Sequence, residues 1–291
     1  MTPAHVVEFP TPKGFLLRGL WYGPKRARNA IVFVHGLGGS AFSIRHVIEK
    51  LVDRRTAILA FNNRGHDMIA RVSRIRGKSI KAGLVHEVFA DCVDDIQGAI
   101  DFARGNRAKN IFLAGHSTGC QKSIYWASKK KSRGVRAILL LAPVSDYADM
   151  VRRVKRPQLH EMTRTARSLV RRGKKRELLT EGIVKLPWGS FMTDAQRFLS
   201  LYTPDSKETI FPYEQPRKIP RTLRSVKIPI LAVWAEKDEY ADRPARKIKD
   251  WFQKNMRKGA TVVIPGVKHN FKGGERAVSK AIRKQMKETA R

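Results

Sequence analysis

Continuous apolar runs alternate with amphipathic segments along most of the chain. Runs such as Ala30–Val34, Thr56–Phe61 and Ala137–Leu141 are typical of short strands that are buried on both faces. Segments with apolar residues three and four positions apart, at 41–54 and 85–104, predict helices. Strands that alternate with helices predict an α/β fold, in which a mostly parallel central sheet is flanked by helices.

Similar patterns occupy both ends of the chain. Residues 6–22 predict a β-hairpin that turns at Thr11-Pro12-Lys13-Gly14. Toward the C-terminus the pattern predicts strands and helices in alternation, at 230–234, 244–256, 261–264 and 275–287.

The alternation stops between residues 146 and 226, a basic and partly helical stretch with several aromatic residues. We therefore predict a core domain formed by 1–145 and 227–291. A helical cap, or lid, at 146–226 would be inserted between the predicted sixth and seventh strands. Four aromatic residues of this cap are candidates for contact with a substrate: Trp188, Phe191, Phe198 and Tyr202. The alternative is that they form the small apolar core of the cap itself.

The sequence Gly115-His116-Ser117-Thr118-Gly119 has the G-x-S-x-G pattern and lies between a predicted strand and a predicted helix. A serine in this strand–turn–helix context takes a strained backbone conformation that holds its hydroxyl above the sheet. Side chains at the two glycines would clash with neighbouring backbone. Ser117 is therefore the candidate nucleophile.

Three further groups complete a candidate acyl-transfer site. His35-Gly36-Leu37-Gly38-Gly39 follows a strand, so the backbone amides of Leu37 and Thr118 are the candidate oxyanion hole. Asp238 follows the strand at 230–234, and His269 lies in a loop before the last helix. Asp238 is the preferred acid, with Glu236, Glu239 and Asp242 as alternatives, because loop register is not fixed by sequence.

In these motifs the chain resembles the α/β-hydrolases, whose nucleophile, acid and base follow one another in the order Ser117, Asp238, His269. Gly115–Gln121 and Arg197–Leu201 also resemble segments of the siderophore-esterase group. The chain departs from the superfamily pattern at Ala235 and Cys120, where glycine is common.

The resemblance implies a serine esterase with a Ser-His-Asp triad and an acyl-enzyme intermediate, acting on a small-molecule ester of the hydroxy-acid or hydroxamate type. The aromatic residues of the predicted cap make feruloyl-type esters an equal candidate. Thioesterase, amidase or peptidase, and carbon–carbon bond hydrolase activities use the same triad and stay open. A non-catalytic protein that binds an anionic partner on this scaffold is a further alternative.

Charge is the unusual feature of the composition, with 59 basic against 25 acidic residues and a net charge of +34. Residues 151–176 carry eleven Lys or Arg and one acidic residue, Glu161. Three interpretations stay open: a general basic bias of solvated faces, attraction of an anionic substrate, or a nucleic-acid or membrane role. No nucleic-acid-binding motif accompanies the charge, so no specific nucleic-acid partner is expected.

The remaining composition bears on cofactors, disulfides and location. No His, Cys and Asp cluster has metal-ligand spacing, so neither a metal nor an organic cofactor is expected. Cys92 and Cys120 are too few for a disulfide framework and are expected to be buried. The sequence shows neither a secretory leader nor an apolar run near the ~20 residues that span a bilayer, so we expect a cytoplasmic enzyme.

Overall fold

A computed structural model describes residues 2–179, 184–186 and 189–290. Its strands are β1 (Ala4–Pro10), β2 (Phe15–Tyr22), β3 (Asn29–Val34), β4 (Thr56–Phe61), β5 (Ala70–Arg74), β6 (Ile80–Ala82), β7 (Asn110–His116), β8 (Ala137–Leu141), β9 (Val184–Leu186), β10 (Gly189–Phe191), β11 (Ile230–Ala235) and β12 (Gly259–Ile264). Its helices are α1 (Arg45–Ile48), α2 (Cys92–Gly105), α3 (Thr118–Lys130), α4 (Asp146–Arg153), α5 (Arg156–Arg171), α6 (Ala195–Tyr202), α7 (Arg221–Arg224), α8 (Ala245–Asn255) and α9 (Glu275–Thr289).

Ten of these strands form one twisted sheet in the order β12-β11-β8-β7-β3-β4-β2-β5-β6, with β1 paired to β2. The strands from β12 to β4 run parallel, and β2, β5, β6 and β1 add antiparallel pairs at one end. Parallel strands with covered faces need apolar side chains on both sides, which explains the continuous apolar runs. The carboxyl ends of β3, β7, β8 and β11 therefore open on the same edge.

Two apolar cores lie on the two faces of this sheet. One contains residues of α2, α3 and α8, including Ile96, Ile124 and Phe252. The other contains residues of α1 and α9, including Val47 and Ile282. This is the mostly parallel sheet flanked by helices that the sequence predicts.

The chain between β8 and β11 contains α4, α5, the β9–β10 pair, α6 and α7. Residues of α4, α5 and α6 form a third apolar cluster, which also includes Leu84 and Val85 of the core. The later part of the segment packs differently, because Phe211 and Tyr213 belong to the main core and Phe211 packs on Phe252 with 4.8 Å between ring centroids. The apolar contacts of α4, α5 and α6 thus differ from those of the later residues Phe211 and Tyr213.

Two predicted helices are shorter than their sequence patterns. In 41–54 only Arg45–Ile48 is α-helical, because Ile44 takes a left-handed conformation (φ 44°) that interrupts the helix. In 85–104 the α-helix begins at Cys92, after two 3₁₀ turns, because Glu87 and Val88 are extended. That extension lets the Glu87 side chain reach buried partners in α3 and α6.

A short hairpin formed by β5 and β6 extends the sheet beyond β2 and was not predicted. Few of its residues are buried, so its sequence contains no apolar run that would predict a strand. Across the described residues, no helix is both long and apolar enough to cross a bilayer.

Candidate active site

Ser117 occupies a sharp turn between β7 and α3. Its backbone has φ 54° and ψ −127°, a conformation that costs an L-residue energy and that persists at functional turns. The turn is held by hydrogen bonds from the Ser117 amide to the Leu141 carbonyl (2.9 Å) and from the Cys120 amide to the Ser117 carbonyl (2.8 Å). The turn therefore places the Ser117 hydroxyl at the carboxyl edge of the sheet and not within it.

The two glycines of the motif let the elements around this turn approach closely. A Cβ atom on Gly115 would lie 2.2 Å from the Gly119 carbonyl oxygen, and a Cβ on Gly119 would lie 2.2 Å from that of Val34. Both contacts are with backbone, which has no freedom to move aside. The spacing predicted from sequence therefore has a steric cause at each glycine.

Asp238 and His269 are brought together as the sequence predicts. The His269 Nδ1 lies 2.9 Å and 2.8 Å from the two carboxylate oxygens of Asp238, and both side chains are almost fully buried. A carboxylate accepts only, so Nδ1 carries the proton and Nε2 is left as the basic nitrogen. The alternative acids have other partners: Glu236 accepts from the Gly266 amide, and Asp242 pairs with Arg243.

The loop that carries His269 is fixed by neighbours on three sides. Glu239 accepts a hydrogen bond from the His269 amide at 3.0 Å. The His116 Nε2 donates to the His269 carbonyl at 3.1 Å, and burial, with the nearby His269, lowers the pKa of His116 to about 3. The ring of Tyr240 meets that of His269 edge-on at 4.6 Å. These contacts orient the imidazole without using Nε2.

The backbone amides of Leu37 and Thr118 are available as donors. In the described part of the chain neither amide donates a hydrogen bond, although Leu37 lies in the site and Thr118 opens α3, whose N-terminal end favours negative charge. Gly36 lies beside the nucleophile, since a Cβ there would be 2.8 Å from the Ser117 Cβ. The absence of a side chain at Gly36 therefore lets the loop that carries Leu37 approach Ser117 closely.

His35 braces the loop that carries Leu37. It is fully buried, and its Nδ1 donates to the Gly36 carbonyl at 2.8 Å. Burial, aided by the positive charge of Lys122, lowers the pKa of His35 to about 3, so the ring is neutral at physiological pH. His66 forms a similar contact, from Nδ1 to the Asn63 carbonyl at 2.8 Å, within the loop after β4.

A cavity of about 410 Å³ contains Ser117 and His269 in its wall. This volume is typical of sites for small organic ligands. Ser117 and His269 both line this cavity, and His269 keeps its Nδ1 on Asp238. The apolar part of the wall consists of Leu37, Ile44, Val144, Met150 and Val154. Among the described residues, no group of three or more His, Cys, Asp or Glu side chains could hold a metal ion.

The model of one family, DUF1749, described as a protein of unknown function, matches residues 21–289. The chain belongs to the DUF1749 family. The match covers nearly the whole fold, from β2 to the end of α9.

One curated relative and two solved structures place this DUF1749 protein among known folds. It is 28% identical over 131 residues to "Putative esterase/lipase 2" of Mycoplasma pneumoniae, a match that covers 45% of this chain and only 43% of that protein. It resembles the α/β hydrolase GrgF from Penicillium sp. (TM-score 0.65, 17% identity, 99% and 100% of the two chains). It also resembles Est1E from Butyrivibrio proteoclasticus with bound ferulic acid (TM-score 0.62, 20% identity, 97% and 98%).

These matches confirm the α/β-hydrolase fold that the motifs predicted. The solved structures share 17–20% identity with the chain and show its fold, and the match to the Mycoplasma protein spans less than half of either chain.

The four aromatic candidates of the cap have different outcomes. Tyr202 lines the cavity. Phe198 does not: it is fully buried in the third apolar cluster and packs on Tyr202 at 5.4 Å, so the prediction of substrate contact is corrected to a packing role. Phe191 belongs to β10, whose side chains lie outside the description, and Trp188 lies outside the described residues.

A buried network of charges joins the core to the helices between β8 and β11. Glu87 pairs with Lys122 of α3 at 2.5 Å and with Arg197 of α6 at 2.7 Å, and Arg197 also pairs with Glu208 at 2.5 Å. Burial alone would raise the pKa of Glu87, but Lys122 and Arg197 hold it at about 2. Sequence analysis missed this network, because the four residues are far apart in the chain.

Two acidic residues of α4 also face the cavity and were not predicted. Asp149 receives hydrogen bonds from Arg153, which in turn donates to the Glu239 carbonyl at 3.1 Å beside the catalytic acid candidate. Asp146 accepts from Gln121 at 2.8 Å, and burial, with the negative charge of Glu208, raises its pKa to about 8. The acidic and basic spacing of Asp149, Arg152 and Arg153 on one helix was the available signal.

Proposed function

We propose that this protein hydrolyses carboxylic esters with Ser117 as nucleophile, His269 as general base and Asp238 as the acid that orients it. The observation that carries the proposal is the strained Ser117 turn in the same cavity as a histidine whose Nδ1 is held by both Asp238 oxygens. A serine hydroxyl is a weak nucleophile without such a base.

The reaction follows from these positions. His269 Nε2 takes the Ser117 proton as the hydroxyl oxygen attacks the ester carbonyl carbon, and the amides of Leu37 and Thr118 donate to the resulting oxyanion. His269 then gives the proton to the departing alcohol, which leaves an acyl-serine. Water, deprotonated by the same nitrogen, attacks the acyl carbon and releases the acid. Each step uses residues of this chain and water alone.

The segment 146–226 acts in this proposal as a cap that bounds the acyl side of the site. Support comes from α4 and α6, which contribute Met150 and Tyr202 to the cavity wall. Feruloyl-type aromatic esters are the preferred substrates within this class, because Tyr202 and Tyr240 offer ring faces and edges to an aromatic acyl group. The likeness to Est1E, which was solved with ferulic acid, is in line with that choice. Hydroxy-acid esters and a cytoplasmic location stay predictions.

The test is hydrolysis of p-nitrophenyl esters from acetyl to dodecanoyl, with a feruloyl ester added, by the wild type and by Ser117→Ala. We expect hydrolysis that is lost in the variant, with a preference for short or aromatic acyl groups. Cleavage of thioesters or amides in preference to all esters would favour the related activities that use the same triad. Equal activity of wild type and variant would refute the proposed nucleophile.

A further inference from the structure

The β5–β6 hairpin and the end of α5 form one exposed surface that the proposed esterase mechanism does not use. We call the residues 68–83 and 170–178 the hairpin surface. The two segments are adjacent, because the Arg176 Nη2 donates to the Lys81 carbonyl at 2.8 Å. The surface also reaches the active-site loops, since the Asp67 amide donates to the Gly39 carbonyl at 3.1 Å.

This surface is strongly and locally basic. Residues 68–83 contain no acidic residue and five basic ones: Arg71, Arg74, Arg76, Lys78 and Lys81. Residues 170–178 contain Glu177 as the single acidic residue and five basic ones: Arg171, Arg172, Lys174, Lys175 and Arg176. Over the whole chain the ratio is 59 basic to 25 acidic, so the general bias alone does not account for the concentration here.

The same surface exposes aliphatic side chains. Ile69 is 57% exposed, Ile75 55% and Leu178 41%, and Val170 and Met68 are exposed at 36% and 39%. Exposure of large aliphatic side chains to water is unfavourable. Their concentration among cations therefore marks a surface that contacts another molecule. Ile75 follows β5 directly and lies with its basic neighbours Arg74 and Arg76 at the turn of the hairpin.

We propose that the hairpin surface docks the protein on an anionic lipid membrane. Cations at the level of the headgroups are attracted by acidic lipids, while aliphatic side chains enter the boundary of the acyl chains. A nucleic acid fits less well, because neither segment contains a Phe, Tyr or Trp on which bases could stack. The docking is peripheral and reversible, and it does not depend on the proposed esterase activity.

The test is flotation of the full-length protein with phosphatidylcholine vesicles, with and without phosphatidylglycerol. We expect binding only to the anionic vesicles, with loss of binding as salt screens the charges. The triple variant R71Q/R76Q/K78Q should bind these vesicles on the order of 100-fold more weakly. The matched variant K280Q/K284Q/K287Q removes the same charge from α9, at the opposite end of the sheet, and should bind nearly as the wild type does.

A second pair of variants tests the lipid contact itself. Ile75→Ser should weaken vesicle binding roughly five- to tenfold, because an aliphatic group no longer enters the acyl boundary. Ile219→Ser, at a site 56% exposed outside the hairpin surface, should not. Hydrolysis of a water-soluble ester should be unchanged in every variant, so failure here is distinct from failure of the proposed function.

Three results would overturn the inference. One is no binding to anionic vesicles. Another is an equal loss of vesicle binding in the two triple variants, which would indicate that net charge drives the binding and not this particular surface. The third is vesicle binding that is unchanged in Ile75→Ser, together with tighter binding of the protein to a single-stranded oligonucleotide than to vesicles. That result would identify a nucleic-acid surface instead.

Discussion

The two walls of the active-site cavity are built on different principles. On the core side, Ser117, Asp238 and His269 sit at or after the carboxyl ends of strands, and the backbone fixes each of them. On the other side, α6 is joined to the core through the buried pairs of Glu87 with Lys122 and Arg197, and α4 through the hydrogen bond from Gln121 to Asp146. The sheet therefore positions the proposed catalytic residues, whereas side-chain contacts position the helices that shape the cavity.

The largest effect is expected on the core side, from Asp238→Asn. An amide cannot hold the imidazole in the tautomer that leaves Nε2 basic, so kcat should fall by about 10⁴ while KM changes little. The measurement is steady-state hydrolysis of the best p-nitrophenyl ester.

Glu239→Gln is the matched control for that variant. The Glu239 carboxylate accepts a hydrogen bond from the backbone amide of His269, and a glutamine oxygen still accepts that hydrogen bond. A loss comparable with that of Asp238→Asn would contradict the assignment of Asp238 and point to Glu239 as the acid.

The next effect concerns the opposite wall, and the variant is Arg197→Met. Arg197 is fully buried between Glu87 and Glu208, so removal of its charge leaves a buried carboxylate without its cation. We expect the free energy of unfolding to drop by about 3–5 kcal/mol in urea denaturation.

Arg164→Met tests whether burial is the reason for that drop. Arg164 pairs with Glu161 on α5, but its side chain is 69% exposed. We expect little change in stability, because water screens such pairs. If both variants were equally stable, the buried network would not hold α6 to the core.

The last comparison concerns the pH dependence of stability, and the variant is Asp146→Asn. Burial raises the pKa of Asp146 from 3.8 to about 8, so between these values the folded protein holds a proton that the unfolded chain has released. The contribution of Asp146 to the free energy of unfolding is therefore present at low pH and is lost as pH rises through this window.

Chemical denaturation at several pH values checks this sign. The stability of wild type relative to Asp146→Asn should decline from pH 4 to pH 8. Asp205→Asn, at a side chain 88% exposed, is the control and should leave the profile unchanged. A wild-type advantage that grows with pH would show that Asp146 is ionised in the folded state.

The contrast between the walls also decides what sequence could predict. Gly115, Ser117 and Gly119 were predictable because the turn is a local structure whose steric demands restrict three positions within five residues. Asp238 and His269 were predictable as loop positions after strands, but sequence could not show that Asp238 contacts the His269 ring and Glu239 its backbone amide.

What sequence missed depends on contacts between distant residues. The helical pattern of 85–104 fails at its start because Glu87 extends to reach Lys122 and Arg197, and no local pattern records that partnership. Phe198 has the same apolar character as a ligand-lining residue, and only the packing of α6 directs it into the third cluster. The β5–β6 hairpin has too few buried side chains to leave a strand pattern.

The most direct test of the central claim is labelling with a fluorophosphonate, followed by mass spectrometry of the digested protein. The account predicts one phosphonylated residue, Ser117, and strongly slowed labelling in His269→Gln, in which no base accepts the serine proton. A wild type that is not labelled, or an adduct on another residue, would contradict the assignment of Ser117 as the activated nucleophile.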